Sequence, residues 1–287
     1  MSIKPKYFII PYSCIGDQLT LSGALHYFLE EKNAEKICIL ATNNNYISVK
    51  HLYEDYPEVI VYPVESDYHF SLERHKFENL PIENRDGYQL IAFGNHCGKS
   101  WRIPELFELD ALYVHQNIPK EVRFSHFRLP KRLDNSLKIY NTLVEKIGKD
   151  YIVIHDDPAR IMLLNYDTIK NWLFEKSLSH LPVIYLGYNR YNYPLISGLN
   201  NIDVSDIITT RDIFDITDVL RNAKVCHMMD SSFGILLDYI ASSSRPDQHR
   251  ISYQRLPHKN TKFIYHSEWE FEAGISMINE FDPKEPI

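Results

Sequence analysis

The stretch YFIIPYSCIGDQLTLSGALHYFLEE, Tyr7 to Glu31, passes from a short apolar run through a Gly-Asp turn straight into a segment with helical spacing. No other feature limits the fold more. Tyr7, Phe8, Ile9 and Ile10 read as a buried strand, and Leu21, Ala24, Leu25, Phe28 and Leu29 recur on one helical face. A strand that turns at once into a helix is the opening unit of an α/β protein, because neighbouring parallel strands need a crossover between them. In such a unit the turn lies at the carboxyl end of the strand, where ligands bind. Asp17 therefore has two readings, a helix cap or a catalytic group.

The same succession recurs. Strand-like runs lie at Ile37 to Ala41, Val59 to Val64 and Gln89 to Phe93, and NYISVKHLYEDY is the clearest helix between them. From Lys99 to Arg132 the pattern becomes irregular, rich in aromatic and basic residues, with one helix expected around Pro104 to His115 and a loop after it. A polar helix from Asp134 to Ile147 ends at Gly148, a natural carboxyl-terminal cap, and the domain boundary is expected there. The pattern then restarts: YIVIHDDPAR is a strand ending in polar residues, YDTIKNWLFEKSL an amphipathic helix, and PVIYLG a strand closed by Gly187. DIFDITDVLRNA reads as a helix capped by Asp212, and KVCHMMDSSFGILLDYIA as strand, turn and helix once more. A strand at Lys262 to Tyr265, a helix from Glu268 to Glu280 and a frayed tail close the chain. The expectation is an α/β protein of two Rossmann-like domains, 1–148 and 149–287, facing each other across a cleft.

Composition agrees with that size. The 287 residues, 44% hydrophobic and 24% charged, are ordinary for a soluble globular chain. Two domains of roughly 140 residues would each bury an adequate core. A net charge of −7 leaves no basic stripe for a nucleic-acid duplex, so a small ligand is the better match. Cys14, Cys38, Cys97 and Cys226 show no metal-binding spacing and read as reduced, buried thiols. The opening MSIKPKYFIIPYS has too short an apolar run for a signal peptide or a membrane span, so a cytoplasmic protein is expected.

Three strand-end turns carry the candidate chemistry. CIGDQ places Gly16 and Asp17 in the first half, and HDDPAR and MDSSFG follow in the second. A helix beginning at Ser231 to Phe233 presents unpaired N–H groups and a positive dipole end, which suits a phosphate or diphosphate; the other reading is that Asp230 or Ser231 merely caps it. In HDDPAR, Arg160 offers planar recognition of phosphate. Asp156 and Asp157 have three readings: a metal-binding pair, a turn with His155 and Arg160 facing the ligand, or plain turn and cap residues. Adjacent carboxylates on an extended segment point to opposite sides and chelate one ion poorly, which favours the metal-free reading. Asp215 is either a ribose contact or a first-turn acid.

IGDQLTLSGALHYFLEE resembles the opening turn and helix of heptosyltransferase-like enzymes, members of the GT-B glycosyltransferases. HDDPARIMLLNYDTIKNWLFEKSLSHLPVIYLG is similar to the first strand, tryptophan-containing helix and second strand of their donor domain, with Arg160 and Trp172 near the matching places. DVLRNAKVCHMMDSSFGILLDYIA is similar to the segment in which an Asp-Thr-Gly turn meets the donor's phosphates, with Ser231 and Ser232 in place of Thr-Gly and Ile235 in place of a histidine.

That resemblance implies a transferase moving a sugar from a nucleoside-diphosphate sugar to a glycan or lipid-linked hydroxyl. It needs no metal and no cofactor beyond that co-substrate. Asp17 is then the general base, and Gly16, His155, Asp157, Arg160, Gly187, Asp230, Ser231, Ser232 and Phe233 bind the donor. His115, Gln116 and Arg123, in the aromatic and basic segment, suit an acceptor sugar or belong to an ordinary interdomain loop. The alternatives are a metal-dependent transferase using Asp156 and Asp157, and a non-catalytic protein that recognises a nucleotide or glycan.

Overall fold

The computed structural model describes residues 4–12, 14–79, 87–94, 108–156, 162–186, 196–229, 231–253, 267–272 and 275–277. The chain divides into two compact units, Met1–Arg132 and Leu133–Ile287.

In the first unit the order is β1 (Lys6–Ile10), α1 (Ile15–Glu30), β2 (Lys36–Thr42), α2 (Tyr46–Leu52), β3 (Val59–Val64), α3 (Asp67–Asn79), β4 (Tyr88–Ala92), α4 (Glu108–His115) and α5 (Val122–Ser125). The four strands form one parallel sheet in the order β3-β2-β1-β4. Their apolar runs bury Ile9, Ile10, Ile37, Ile39 and Leu40. Side chains of this kind each contribute about 1.5–3 kcal/mol when fully buried.

The helix α1 is buried nearly all round, although it carries Thr20, Ser22 and His26. Its hydroxyls are satisfied within the helix, Thr20 Oγ1 donating to Gly16 O at 2.9 Å and Ser22 Oγ to Leu19 O at 2.7 Å. Gly23 has no side chain for a packing reason: a Cβ there would sit 2.5 Å from Val122 O and 2.9 Å from Arg123 O, so its absence lets α5 lie directly on α1.

The second unit comprises α6 (Asp134–Ile147), β5 (Ile152–His155), β6 (Met162–Leu164), α7 (Tyr166–Glu175), β7 (Pro182–Leu186), β8 (Asn200–Asn201), a 3₁₀ turn (Ile213–Ile216), α8 (Thr217–Asn222), β9 (Val225–Met229), α9 (Ser232–Ile240), β10 (His249–Tyr253), β11 (Glu270–Glu272) and β12 (Ile275–Met277). Six strands form a parallel sheet in the order β11-β10-β9-β5-β7-β8. Counted along this unit, that is the doubly wound order 3-2-1-4-5-6, with β5 first and the order reversing between β5 and β9. Its core packs Ile152, Ile154, Leu173, Val183, Val225 and Ile251 around Trp172.

Two expectations require correction. The domain boundary falls at Arg132–Leu133, not at Gly148. Gly148 does end α6, with φ 87° and its N–H on Val144 O. Yet α6 is tied to the second unit, burying Ile139 and Leu143 and holding the Asp218 N–H with Ser136 Oγ at 2.7 Å. A helix cap marks the end of an element, whereas a boundary depends on which core the helix joins.

The helix expected from Glu268 to Glu280 is instead the strands β11 and β12, the first parallel to β10 and the second antiparallel to β6. The sequence WEFE alternates with period two, and side-chain bonds fix its start. Asp238 Oδ1 accepts from Ser267 N at 2.9 Å and from Trp269 Nε1 at 3.1 Å, and Glu270 Oε2 accepts from Trp172 Nε1 at 3.2 Å. The strand expected at Lys262 to Tyr265 lies outside the described residues, as do Pro104 to Phe107 of the expected helix.

Cys38 and Cys226 are buried free thiols, and burial pushes the Cys226 thiol up; Cys14, expected to be buried, is exposed, because it stands before the first turn of α1. Cys97 lies outside the described residues. No helix among the described residues is long and apolar enough to cross a membrane.

Each unit encloses a histidine away from water. Burial, with the Arg128 charge nearby, lowers His26 to about 4, and burial, with His249 nearby, lowers His227 to about 3, both from 6.5. The unfolded chain therefore takes up protons below pH 6.5 that the folded chain refuses. Stability from these sites is complete above pH 6.5 and is lost progressively as pH falls toward 4 and 3. The urea midpoint is expected to fall between pH 7.5 and pH 5, and less steeply in a His26→Gln/His227→Gln variant; an equal slope in the two proteins would contradict this. Gly23→Ala is expected to lower stability by about 1–3 kcal/mol through overpacking, read as a lower urea midpoint at neutral pH.

Candidate functional site

In the first unit the strand order reverses at β1, with β2 and β3 to one side and β4 to the other. The carboxyl ends of β1 and β4 are thus the place where an open parallel sheet leaves a crevice. Asp17 stands there in the first turn of α1, half-buried, and its Oδ2 accepts the Cys14 N–H at 2.9 Å. Gly16 is buried beside it. The capping reading of Asp17 is therefore real: the carboxylate satisfies an amide that the helix leaves open.

The end of β4 is brought close to the same place. The Phe93 N–H donates to Ile10 O at 2.9 Å, and Gly94, at φ 58°, lies so near Tyr12 that a Cβ would stand 2.2 Å from its ring. Only glycine fits that contact.

The three acceptor candidates separate. Gln116 Nε2 donates to Ala92 O at 2.7 Å, which fastens the end of α4 to the end of β4. His115 is half-buried just before it, and its Nε2 has no hydrogen-bond partner among the described residues. Arg123 is different. It is 1% exposed, its Nη1 lies 3.4 Å from Asp110 Oδ1, and its guanidinium sits 4.5 Å from the Phe124 ring centre. It anchors α5 and presents no face to an acceptor.

In the second unit the corresponding crevice lies between β5 and β9. His155 ends β5 at 4% exposure; Nδ1–H donates to Leu186 O at 2.7 Å, and its ring lies 4.4 Å from that of Phe233. The carbonyl fixes the tautomer, and the ring braces strand β7 against helix α9. His155 therefore joins the end of β7 to the first turn of α9.

Asp156, 1% exposed, accepts from the Tyr166 hydroxyl through Oδ2. Tyr185 stands close enough to feel its charge, and burial first and Asp156 second raise that tyrosine to about 12. Asp156 thus holds the hydroxyl of the half-buried Tyr166. Asp157, Arg160, Gly187 and Asp230 lie outside the described residues.

Ser231 takes the extended conformation that precedes a helix, φ −155° and ψ 177°, but its hydroxyl does not cap α9. Its Oγ is buried without a hydrogen-bond partner among the described residues. The cap position is filled and the capping bond is not made, which favours the anion reading of this turn over the plain capping one. Ser232 and Phe233 form the first turn of α9, and Phe233 is buried.

Beside this turn a small open pocket of about 40 Å³ is lined by Leu186, Ile208, Thr210, Arg211, Asp212, Ile213, Ile216 and Phe233. The loop before the 3₁₀ turn supplies half of it. Thr210 Oγ1 donates to Asp215 Oδ2 and accepts the Asp212 N–H at 2.9 Å, and Asp212 Oδ1 caps Phe214 N at 3.0 Å. Asp212 is a cap as the sequence indicates, and Asp215 serves as a first-turn acid that holds Thr210. Thr210 and Arg211 were missed by sequence reasoning. The strand before them, β8, is only two residues long and leaves no periodic trace; the polar run Thr209-Thr210-Arg211-Asp212 ahead of a helical turn was the available signal.

No model of a known protein family and no curated protein sequence matches the chain. Solved structures do. The chain is similar to a glycosyl transferase of family 9 from Veillonella parvula, with 6% identity and a TM-score of 0.55 over 93% of this chain and 86% of that one. It is also similar to the ADP-heptose LPS heptosyltransferase II of E. coli, with 12% identity and a TM-score of 0.52 over 93% of this chain and 89% of that one. At such identities the likeness is one of fold. The fold is of the GT-B, heptosyltransferase-like class, built of two Rossmann-like units.

Proposed function

We propose that the protein is a glycosyltransferase that moves a sugar from a nucleoside-diphosphate sugar to a hydroxyl of a glycan or lipid-linked acceptor. The observation that carries this reading is the start of α9, where the Ser231 hydroxyl has no hydrogen-bond partner among the described residues and a small pocket of mixed polar and apolar lining opens alongside. A helix start with open amides attracts a diphosphate, and the apolar side chains Leu186, Ile208 and Ile213 beside it offer a face for the attached nucleoside. The heptosyltransferase-like fold supports the same reading. In this account the second unit binds the donor and the first serves the acceptor, with Gln116 and His115 as its polar contacts.

Asp17 is the general base. It takes the proton from the acceptor hydroxyl while that oxygen bonds to the anomeric carbon, and the bond from that carbon to the diphosphate oxygen breaks, its electron pair leaving with the nucleoside diphosphate. The negative charge gathered on the leaving group is met by the amides at Ser231 and Ser232 and by Arg160. This accounts for the charge without a metal. A metal-dependent reading through Asp156 and Asp157 is less well supported, because the Asp156 carboxylate is buried and holds the Tyr166 hydroxyl. The cytoplasm is the proposed compartment, in keeping with the buried free thiols Cys38 and Cys226.

A thermal-shift screen against UDP-, GDP-, ADP- and CMP-sugars is expected to give a rise in melting temperature with one nucleotide class, since a ligand bound only by the folded state stabilises it. With that donor, Asp17→Ala is expected to lower kcat by about a hundredfold or more while leaving donor affinity unchanged. If Asp17 acts only as a cap, the variant loses about 1 kcal/mol of stability and keeps its kcat. Donor binding without any transfer in the wild-type protein would favour the non-catalytic reading.

A further inference from the structure

The pocket beside α9 contains a charge that the fold leaves unspent. Arg211 is exposed on the pocket wall and makes no hydrogen bond or ion pair with another described residue. The acids nearest to it in sequence are engaged elsewhere: Asp212 Oδ1 caps Phe214 N at 3.0 Å, and Asp215 Oδ2 accepts the Thr210 hydroxyl. Thr210 in turn accepts the Asp212 N–H, so its hydroxyl is used in both directions. The remaining wall, Leu186, Ile208, Ile213, Ile216 and Phe233, is apolar. A permanent cation beside such a wall has to find an anion outside the protein or remain hydrated.

Phe233 fixes where that anion lies. It is a wall of the pocket and also belongs to the first turn of α9, so the pocket that Arg211 lines reaches the helix start proposed above to hold the diphosphate. A guanidinium presents parallel N–H donors that match two oxygens of a phosphate at once. We propose that Arg211 binds the diphosphate of the donor, a second cation on the leaving group besides the one in the HDDPAR turn. The proposal rests on the transferase reading of this pocket and adds the residue that distinguishes a nucleoside diphosphate from a bare nucleoside.

The test is titration calorimetry with ADP, UDP and GDP and with adenosine, uridine and guanosine, on the wild-type chain and on Arg211→Gln and Arg211→Lys. The wild type is expected to bind its preferred diphosphate more tightly than the matching nucleoside. Arg211→Gln is expected to weaken that diphosphate about tenfold or more, as for the loss of a charge-assisted hydrogen bond, and to leave the nucleoside unchanged; Arg211→Lys falls between. Because Arg211 is exposed, the melting temperature without ligand is expected to stay the same in both variants. An unchanged diphosphate affinity in Arg211→Gln overturns the proposal and spares the transferase reading. An equal loss for nucleoside and diphosphate overturns it too. A wild-type chain that binds none of the six compounds overturns both readings together.

Discussion

The parallel ladder around β5 is the constraint on which the second unit depends. His155 is in register with Leu186 on one side and with Met228 on the other, so three strands end at one level and their turns crowd into one crevice. Parallel pairing alone would place those turns side by side; the side chains then fix them. The His155 imidazole holds the Leu186 carbonyl and packs on Phe233, joining a strand end to the first turn of α9. In the first unit the same office falls to backbone, through the Phe93 amide on Ile10 and the approach of Gly94 to Tyr12. Each unit thus carries a crevice at its point of strand reversal, with a carboxylate at one and an open helix start at the other.

Some of the buried polar groups are satisfied close at hand, and others have no hydrogen-bond partner among the described residues. Thr20 and Ser22 turn their hydroxyls back onto their own helix, and Asp238 gathers amide and indole donors that fasten the segment before β11. The Ser231 hydroxyl shares its lack of a partner among the described residues with other buried groups such as the His26 ring, and what sets it apart is its place at the start of α9, whose first turn reaches the pocket that Arg211 lines. A bound diphosphate would satisfy both.

Much of this was legible in the sequence, and the rest failed for identifiable reasons. The strands β1, β2, β5, β7 and β9 announce themselves as apolar runs, because strands covered on both faces need no alternation, and the edge strands β3 and β4 are legible from their apolar residues although they are more exposed. The helices α1, α6, α7 and α9 follow from helical spacing and from caps such as Asn165 and Gly148. The strand β8 is too short for any pattern, and the end of the chain misled because EWEFEAGISMINE carries enough apolar residues to satisfy a helical template while its ladder partners, β10 and β6, are distant in sequence. Asp17, Ser231 and Phe233 were found from strand-turn-helix logic. Arg123 was misjudged because basic and aromatic residues in a loop look alike whether they await a ligand or, as here, pack an arginine over Phe124 beside Asp110. Which residues line the pocket beside α9 depends on three-dimensional closure of a loop, and no local pattern encodes that.

The most direct test of the account is a crystal structure of the protein grown with its preferred nucleoside diphosphate. The account predicts the diphosphate on the amides at the start of α9, within hydrogen-bond reach of Ser231 Oγ and of the Arg211 guanidinium, with the nucleoside against Leu186 and Ile213. Nucleotide found away from the carboxyl ends of β5, β7 and β9, with the α9 amides open and Arg211 facing solvent, would contradict it.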